Sequence, residues 1–289
     1  MIISIIKIIM VVYIKEPSMI YILRHTERTL MDKTKIGITS ANGWPFLSLK
    51  ERFATYQRVG FHSLMLWWGD GEKETRKERI ALAKEYNLHI ENVHAEMEHS
   101  NSLWKPGPYG EQKANELIEA IKDCDTHDIR CMVIHLTNGD SPPDISHIGL
   151  NRIEMLIENA IKYNVVLAIE NVRTDKHVRY ILDNYKDKHI AFCYDTGHAN
   201  LWCKETDWLS LYADRLAAVH LHDNNGNEDE HAIPLTGAIN WTAMMQAINK
   251  SSYDGCLSLE TEYRGTRNIK QLERFLKTSY QSGLDLALL

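Results

Sequence analysis

The sequence predicts a single-domain α/β protein with the (β/α)8 fold, the TIM barrel. Short apolar runs alternate with longer amphipathic segments, and the runs recur eight times at intervals of roughly 25 to 40 residues. The chain has 289 residues, an ordinary length for one such barrel. Regular alternation of this kind places the strands in one parallel sheet with the helices packed around it.

Eight segments are predicted as strands because each is a short run rich in apolar residues, and most of them end in a polar residue. They cover residues 35–39, 63–67, 89–94, 131–135, 165–170, 190–195, 217–222 and 256–260. Between them, apolar residues at helical spacing predict helices. The clearest of these helices cover residues 47–59, 73–86, 109–125, 149–163 and 269–282.

A doubly wound open sheet is the competing fold, because it shows the same alternation of strands and helices. That fold should carry a GxGxxG phosphate turn after its first strand. Residues 36–43 read IGITSANG instead, so the sequence favours the barrel.

Residues 1–30 do not fit the alternating pattern. Residues 1–14 are almost wholly apolar, but they include Lys7, are too short to span a bilayer and precede no small-residue cleavage site. We therefore predict that residues 1–30 form a poorly packed, dispensable extension and that the barrel occupies residues 31–289.

Charge and cysteine content limit the classes of partner and compartment. The formal net charge is −6 and no basic cluster is present, which argues against a nucleic-acid partner. Bound divalent cations would add local positive charge that this count omits. The five cysteines are odd in number and form no CxxC pair, which is typical of reduced thiols in a cytoplasmic protein.

The predicted strands end repeatedly in residues that can bind metal ions. These residues are His94 and Glu96, His135, Glu170, Asp195 and His198, His220, His222 and Asp223, and Glu260 and Glu262, with Asp229 and His231 in the loop after the seventh strand. The C-terminal strand ends of a barrel converge on its active site. Because converging buried charges are costly unless they are paired or bound to metal, the set predicts a metal centre.

Five short motifs resemble the xylose-isomerase-like barrel superfamily. They are ENV (170–172), CYDTGH (193–198), HLHDN (220–224), DEHAIPLTGAINW (229–241) and SLE (258–260). That superfamily includes sugar and sugar-phosphate isomerases and epimerases, the inosose and dehydroshikimate dehydratases, and trinuclear-zinc apurinic endonucleases. The resemblance covers roughly residues 35–285.

The resemblance implies a divalent metal ion and no organic cofactor. The ion would be Mn²⁺, Zn²⁺, Co²⁺ or Mg²⁺, and its ligands would be Glu170, Asp195, His220 and Glu260. The endonuclease branch adds ligands whose counterparts here are His94, His135, His198, Asp229 and His231. His222 would then reach toward substrate or toward a partner among the ligands.

The implied activity is that of a metal-dependent sugar or sugar-phosphate isomerase or epimerase. It would transfer a proton next to a carbonyl through a metal-stabilised enediolate, with Glu170 and Glu260 as the acid and base. His198, His222, Arg173 and Trp67 are the predicted substrate-binding residues, although Arg173 also fits a surface ion pair and Trp67 also fits loop packing. The expected partner is a small-molecule carbohydrate or sugar phosphate, with no membrane partner, and association into a homo-oligomer is left open.

Three alternatives remain open at this stage: a zinc phosphodiesterase of the endonuclease kind, a metal-dependent dehydratase of a cyclic polyol, and a non-catalytic metal-binding or sugar-sensing barrel. The endonuclease branch usually has TAGQG after the Glu of its fifth strand and CHxF at the sixth. This chain has NVRTDK after Glu170 and reads GHAN at residues 197–200. Its acidic NNGNEDEH loop would also repel an anionic duplex.

Overall fold

Eight parallel strands form a nearly closed barrel in the computed structural model, which describes residues 35–289. The hydrogen-bonded order is β7-β6-β5-β4-β3-β2-β1-β8, so strands that follow one another in the chain are neighbours in the sheet. Helices alternate with the strands and cover the outside of the barrel. The predicted TIM-barrel fold is therefore confirmed, while the predicted extension at residues 1–30 lies outside the described residues.

The strands are β1 Ile36–Thr39, β2 Ser63–Trp67, β3 His89–His94, β4 Cys131–Ile134, β5 Val166–Glu170, β6 Ile190–Asp195, β7 Leu216–His220 and β8 Leu257–Leu259. The α-helices are α1 Leu49–Val59, α2 Arg76–Glu85, α3 Pro108–Thr126, α4 His147–Tyr163, α5 Lys176–Asn184, α6 Thr196–Leu201, α7 Trp208–Tyr212, α8 Trp241–Lys250 and α9 Ile269–Leu286. Short 3₁₀ turns lie at Ser100–Trp104 and Ala213–Arg215.

The barrel closes just beyond the C-terminal end of β7. The backbone N–H of Leu221 donates to the carbonyl of Ser258 at 2.9 Å, and the N–H of Glu260 donates to the carbonyl of Leu221 at 3.0 Å. These bonds join β7 to β8 at the level where the predicted metal ligands lie. The closure therefore brings His220 and Glu260 together, although 40 residues separate them in the chain.

Two layers of side chains hold the barrel together. Large apolar residues, including Phe53 and Leu167, fill the space between the strands and the helices. Inside the barrel, a smaller cluster consists of Val133, Ala168, Cys193 and Ala218. Small residues fill this interior because strand tilt in an eight-stranded barrel leaves little room there. All five cysteines are free, as the sequence predicts.

β7 ends at His220, two residues before the predicted end. The reason is a side chain, because the N–H of His222 donates to Oγ1 of Thr196 at 3.0 Å instead of joining a strand ladder. Helix starts follow the expected chemistry, since Ser48 with Glu51 and Thr75 with Glu78 form capping boxes at α1 and α2. Across residues 35–289, no helix combines the length and apolar character needed to cross a membrane.

Candidate active site

A cavity of about 570 Å³ opens at the C-terminal ends of the strands. Every strand end or following loop contributes to its wall, from Thr39 at the end of β1 to Glu260 after β8. Most of the residues predicted from the strand ends meet in this one place, as parallel strands in a barrel require.

Glu170, the last residue of β5, lies at the centre of the site. Its carboxylate is 1% exposed and contacts four imidazoles: His94 Nε2 at 3.2 Å, His135 Nε2 at 3.1 Å, His198 Nδ1 at 3.2 Å and His220 Nδ1 at 3.3 Å. Four histidines on four different strands or strand ends therefore share one anion. A buried carboxylate with this many nitrogen neighbours is an arrangement suited to a cation.

The four residues that the resemblance assigns to one metal ion form a compact group. Each of Glu170, Asp195, His220 and Glu260 offers one ligand atom, and these atoms all lie within 4.8 Å of one another. Both ring nitrogens of His220 and Oε2 of Glu260 are buried and make no hydrogen bond. Buried polar atoms are rarely left unpaired, so this donor set fits a bound divalent cation.

The additional ligand candidates form two further groups. One contains His198, His222, Asp229 and His231, and the other contains His94, Glu170 and His220. His135 joins them through its contact with Glu170. All five of the additional residues predicted from the sequence therefore lie in or beside the central cluster.

Backbone carbonyls set the ring orientation of three histidines. Nδ1 of His94 donates to the carbonyl of Ala95 at 2.8 Å, Nδ1 of His198 to that of Asn171 at 2.9 Å, and Nδ1 of His231 to that of Glu260 at 2.7 Å. A carbonyl only accepts, so the proton must be on Nδ1 and Nε2 is the free ligand atom in the neutral ring. Metal-binding histidines are oriented in the same way.

Neighbouring imidazoles lower the pKa of Glu170, and neighbouring carboxylates raise the pKa values of His198 and His231. Burial alone would raise the pKa of Glu170, but His135 and His220 outweigh it and hold that pKa well below its ordinary range. Burial would lower the pKa of His198, but Asp195, Asp229 and Glu170 raise it well above its ordinary value. Asp229 similarly outweighs burial and raises the pKa of His231 to about 10. The site is thus a buried set of opposite charges.

Three of the four residues predicted to bind substrate line the cavity, and His222 does not. Trp67 and His198 form part of its wall, and so does Arg173. The guanidinium of Arg173 also donates to Asp140 at 2.8 Å and lies 4.5 Å from the ring of Trp202. The surface ion pair considered from the sequence is thus present as well.

His222 lies behind the cavity and not in its wall. It is 0% exposed, its Nε2 is 3.0 Å from Oδ2 of Asp195, and its ring stacks on that of His231 with centroids 4.0 Å apart. A Cβ on Gly197 would come within 2.0 Å of the His222 ring, so α6 approaches this closely only because residue 197 is glycine. This geometry favours the contact with Asp195 over a contact with substrate.

Asp223 was predicted as a metal-binding candidate from the HLHDN motif, but it is in none of the candidate metal-ligand groups among the described residues. It instead holds the following loop in place. It is 0% exposed and accepts hydrogen bonds from the N–H groups of Asn224, Gly237 and Ile239 and from the indole of Trp241. Its backbone also pairs with Ala232. Because its acceptor sites are taken up by N–H donors, Asp223 anchors the loop that carries Asp229 and His231.

Asn171 is a site residue that the sequence analysis did not find. Its Oδ1 accepts from the N–H of Asp195 at 2.7 Å, and its Nδ2 donates to the carbonyl of Asp195 at 2.8 Å. Its own carbonyl accepts from His198. A single buried residue next to Glu170 thereby fixes the backbone of Asp195 and the ring of His198. Asn171 lies in the ENV motif at residues 170–172, but the sequence analysis singled out only the Glu of that motif as a metal ligand.

We expect Asn171→Leu to weaken both the fold and the metal site. The change keeps the volume but leaves a buried N–H and carbonyl of Asp195 unpaired, which should lower the free energy of unfolding by about 2 to 4 kcal/mol. Loss of ligand orientation should weaken metal binding by about 10- to 100-fold. Urea unfolding and metal titration measure the two effects. Exposed Asn151→Leu on α4 is the matched control, and equal effects in the two variants would remove the role assigned to Asn171.

Comparison with curated proteins finds partial matches. The uncharacterized protein y4fM of Sinorhizobium fredii is 33% identical over 112 residues, which is 36% of this chain and 35% of that protein. The matched segments span 35% and 43% of the lengths of the two curated relatives.

Solved structures match over most of the chain. D-allulose 3-epimerase from Methylomonas sp., in complex with D-allulose, has a TM-score of 0.67 and 16% identity and covers 89% of this chain and 94% of that one. The IOLI protein with a bound zinc atom has a TM-score of 0.70 and 15% identity and covers 88% and 98%. At these identities the likeness shows a shared fold.

A family model identifies the group to which the chain belongs. The model described as xylose isomerase-like TIM barrel matches residues 53–279, which include the central ligand set and most of the eight strands. The match agrees with the motif resemblance and with the observed fold. This chain therefore belongs to the xylose isomerase-like TIM barrel family.

Proposed function

We propose that this protein is a divalent-metal-dependent isomerase or epimerase of sugars or sugar phosphates. The observation that carries the proposal is the pair Glu170 and Glu260, two carboxylates that line one cavity and both lie 3.3 Å from Nδ1 of His220. Isomerases and epimerases of this kind remove and return a proton next to a carbonyl group, which requires two such groups facing one substrate. The D-allulose 3-epimerase fold match supports this reaction class.

Glu170, Asp195, His220 and Glu260 would hold the cation. When bound, a divalent cation would act as a Lewis acid and stabilise the charge that develops on the substrate oxygens. The chain's own contribution is to place one carboxylate on each side of the substrate. The pKa values of Glu170 and Glu260 both lie below their ordinary range, because the pull of neighbouring histidines exceeds the effect of burial. Both are therefore ionised at neutral pH in the metal-free protein.

Each carboxylate has a defined task in this scheme. Glu260 lines the cavity, and its Oε2 lies 3.3 Å from Nδ1 of His220; in this scheme it would take the proton next to the carbonyl. Glu170 would return a proton from the opposite side, and the adjacent imidazole of His198 would bind a hydroxyl group. Trp67, whose ring stacks on His94 with centroids 5.5 Å apart, would cover one face of the substrate and exclude water.

The direct test is exchange of solvent deuterium into candidate ketoses and inososes by the metal-loaded protein. We expect exchange that stops on chelation and returns with added metal. Glu260→Gln should lower the exchange rate by about 100-fold or more, because it removes the proton acceptor and keeps the shape. Exposed Glu85→Gln on α2 is the control and should exchange normally. Normal exchange by Glu260→Gln would contradict the assignment.

A zinc phosphodiesterase is the second candidate, favoured by one observation. His198, Asp229 and His231 lie together as a further ligand group beside the central one. Clustered zinc ions could activate water and stabilise a leaving oxygen. Elemental analysis of tag-free protein separates the candidates: about one equivalent of metal supports the isomerase, whereas about three of zinc with cleavage of abasic DNA supports the phosphodiesterase.

Metal binding should release protons, and its affinity should rise with pH. His220 in the central group has a pKa well above its ordinary value, because Cys193, Glu260 and Glu170 outweigh burial. The pKa values of His198 and His231 in the further group are also raised, that of His231 to about 10, so all three rings are protonated at pH 7 in the metal-free protein. A cation must displace those protons. Calorimetry in buffers of different ionisation enthalpy should show more protons released at pH 7 than near pH 10. Zinc binding without proton release at pH 7 would contradict the charge state assigned to these rings.

A further inference from the structure

We propose that the substrate of this site is an uncharged, unphosphorylated polyhydroxy carbonyl compound, and that the outer wall of the cavity selects against phosphorylated analogues. The inference rests on the proposed function and narrows it, since sugars and sugar phosphates both fit the reaction class. Its basis is the charge and chemistry of the cavity wall beyond the metal ligands.

Carboxylates dominate the part of the wall that surrounds the central cluster. Outside the ligand groups the lining acids are Asp70, Glu72, Glu96, Glu98 and Glu262, and the single lining arginine or lysine among the described residues is Arg173. A terminal phosphate would carry about two negative charges into this wall. An uncharged sugar would meet no such repulsion.

Arg173 is already engaged and does not offset this charge. Its guanidinium is bound to Asp140 at 2.8 Å and lies over the ring of Trp202. Arg52 contacts Glu72 at 2.5 and 2.6 Å, and Arg264 contacts Glu262 at 3.3 Å, so these two lining acids are paired. Neither arginine forms an ion pair with Asp70, Glu96 or Glu98 among the described residues. Phosphate sites normally offer an available arginine, lysine or ring of backbone N–H groups.

Glu96 and Glu98, in the loop after β3, have no ion-pair partner within residues 35–289. The ammonium of Lys113 lies under this loop and donates to the backbone carbonyl of Glu96 at 2.6 Å. Lys113 is buried and does not line the cavity. Lys113 therefore adds positive charge beneath the loop, but in the described part of the chain no arginine or lysine in the cavity wall forms an ion pair with Glu96 or Glu98.

The wall also offers what a polyhydroxy compound requires. Thr137 lines the cavity, is 1% exposed, and its Oγ1 makes no hydrogen bond. A buried hydroxyl without a partner indicates a ligand hydroxyl as its missing partner. Trp67 and Trp44 add aromatic faces on which the C–H side of a sugar can pack. Hydroxyl partners and aromatic faces together fit an uncharged carbohydrate.

Matched pairs of substrates test the inference. We would give the metal-loaded full chain a panel of five- and six-carbon ketoses and inososes, each as the free compound and as its phosphate, and follow deuterium uptake by NMR. For a compound that reacts, we expect kcat/KM of the free form to exceed that of its phosphate by about tenfold or more. Glu96→Gln/Glu98→Gln should reduce this ratio severalfold. Glu111→Gln/Glu119→Gln on α3, with the same change in net charge, should not.

The outcomes distinguish the inference from the proposed function. If a phosphorylated compound exchanges faster than its free partner, the substrate inference is wrong and the isomerase proposal stands. If the ratio is the same in Glu96→Gln/Glu98→Gln as in the unaltered protein, the selective role of the wall is wrong. If no compound of the panel exchanges while metal is bound, the proposed function fails and the inference fails with it.

Discussion

Glu170→Gln should remove catalysis almost completely while the barrel remains folded. The substitution keeps the shape of the side chain but removes the anion that His94, His135, His198 and His220 share. We expect kcat/KM for solvent exchange to fall by about 10³-fold or more, because under the proposed function the change removes both a metal ligand and an acid-base group. Metal affinity should fall by about 100-fold or more.

Two measurements separate this effect from simple misfolding. Circular dichroism should show the native helix content, and the pKa values of His198 and His220, followed by NMR, should fall because their shared counterion is gone. Exposed Glu116→Gln on α3 serves as the matched control, with metal content and exchange unchanged. If Glu170→Gln kept its full metal content and its exchange rate, Glu170 could not be the centre of the site.

The strands and the positions of most candidate metal ligands could be predicted from the sequence because both depend on local patterns. β2, β3 and β6 have the predicted bounds, and in β2 and β6 an apolar run indicates a buried parallel strand. Glu170 and Asp195 are the last residues of their strands, so strand prediction alone assigns them to the catalytic face. Barrel geometry then brings together residues that are far apart in the chain.

The supporting residues could not be predicted, because their roles depend on contacts between segments. Nothing in the local sequence of Asn171 or Thr196 indicates that the first would bind the backbone of Asp195 and the second that of His222. The short spacing from His220 to Asp223 suggested a shared metal role, yet only the fold shows that four N–H donors converge on Asp223. A sequence pattern therefore identifies candidate metal ligands, and the hydrogen bonds in the fold distinguish them from residues such as Asp223 that support a loop.

The loop that carries Asp229 and His231 is held in place from two sides. His231 has a φ of 44°, in the left-handed region that a residue with a side chain adopts only at some cost. Its Nδ1 donates to the carbonyl of Glu260, and its own carbonyl accepts from the N–H of Glu262. On the other side, Asp223 pairs with Ala232 and binds the segment up to Trp241. Strain at His231 is thus maintained by buried hydrogen bonds on neighbouring segments.

Asp223→Ala should therefore be the most destabilising single substitution in this loop. It leaves the N–H groups of Asn224, Gly237 and Ile239 and the indole of Trp241 without their acceptor. Each unpaired buried donor costs about 1 to 3 kcal/mol, and allowing for water entry we expect a total loss of about 3 to 5 kcal/mol in the free energy of unfolding.

Urea unfolding of the metal-free protein measures this loss, and metal analysis shows whether the ligand group around His231 loses its ion. Asp223→Asn keeps one acceptor oxygen and should cost less than the alanine variant, while exposed Asp254→Ala should change the free energy of unfolding by no more than about 0.5 kcal/mol. A loss below about 1 kcal/mol in Asp223→Ala would mean that the loop keeps its conformation without this carboxylate. The strained His231 would then have to be held by its bonds to Glu260 and Glu262 alone.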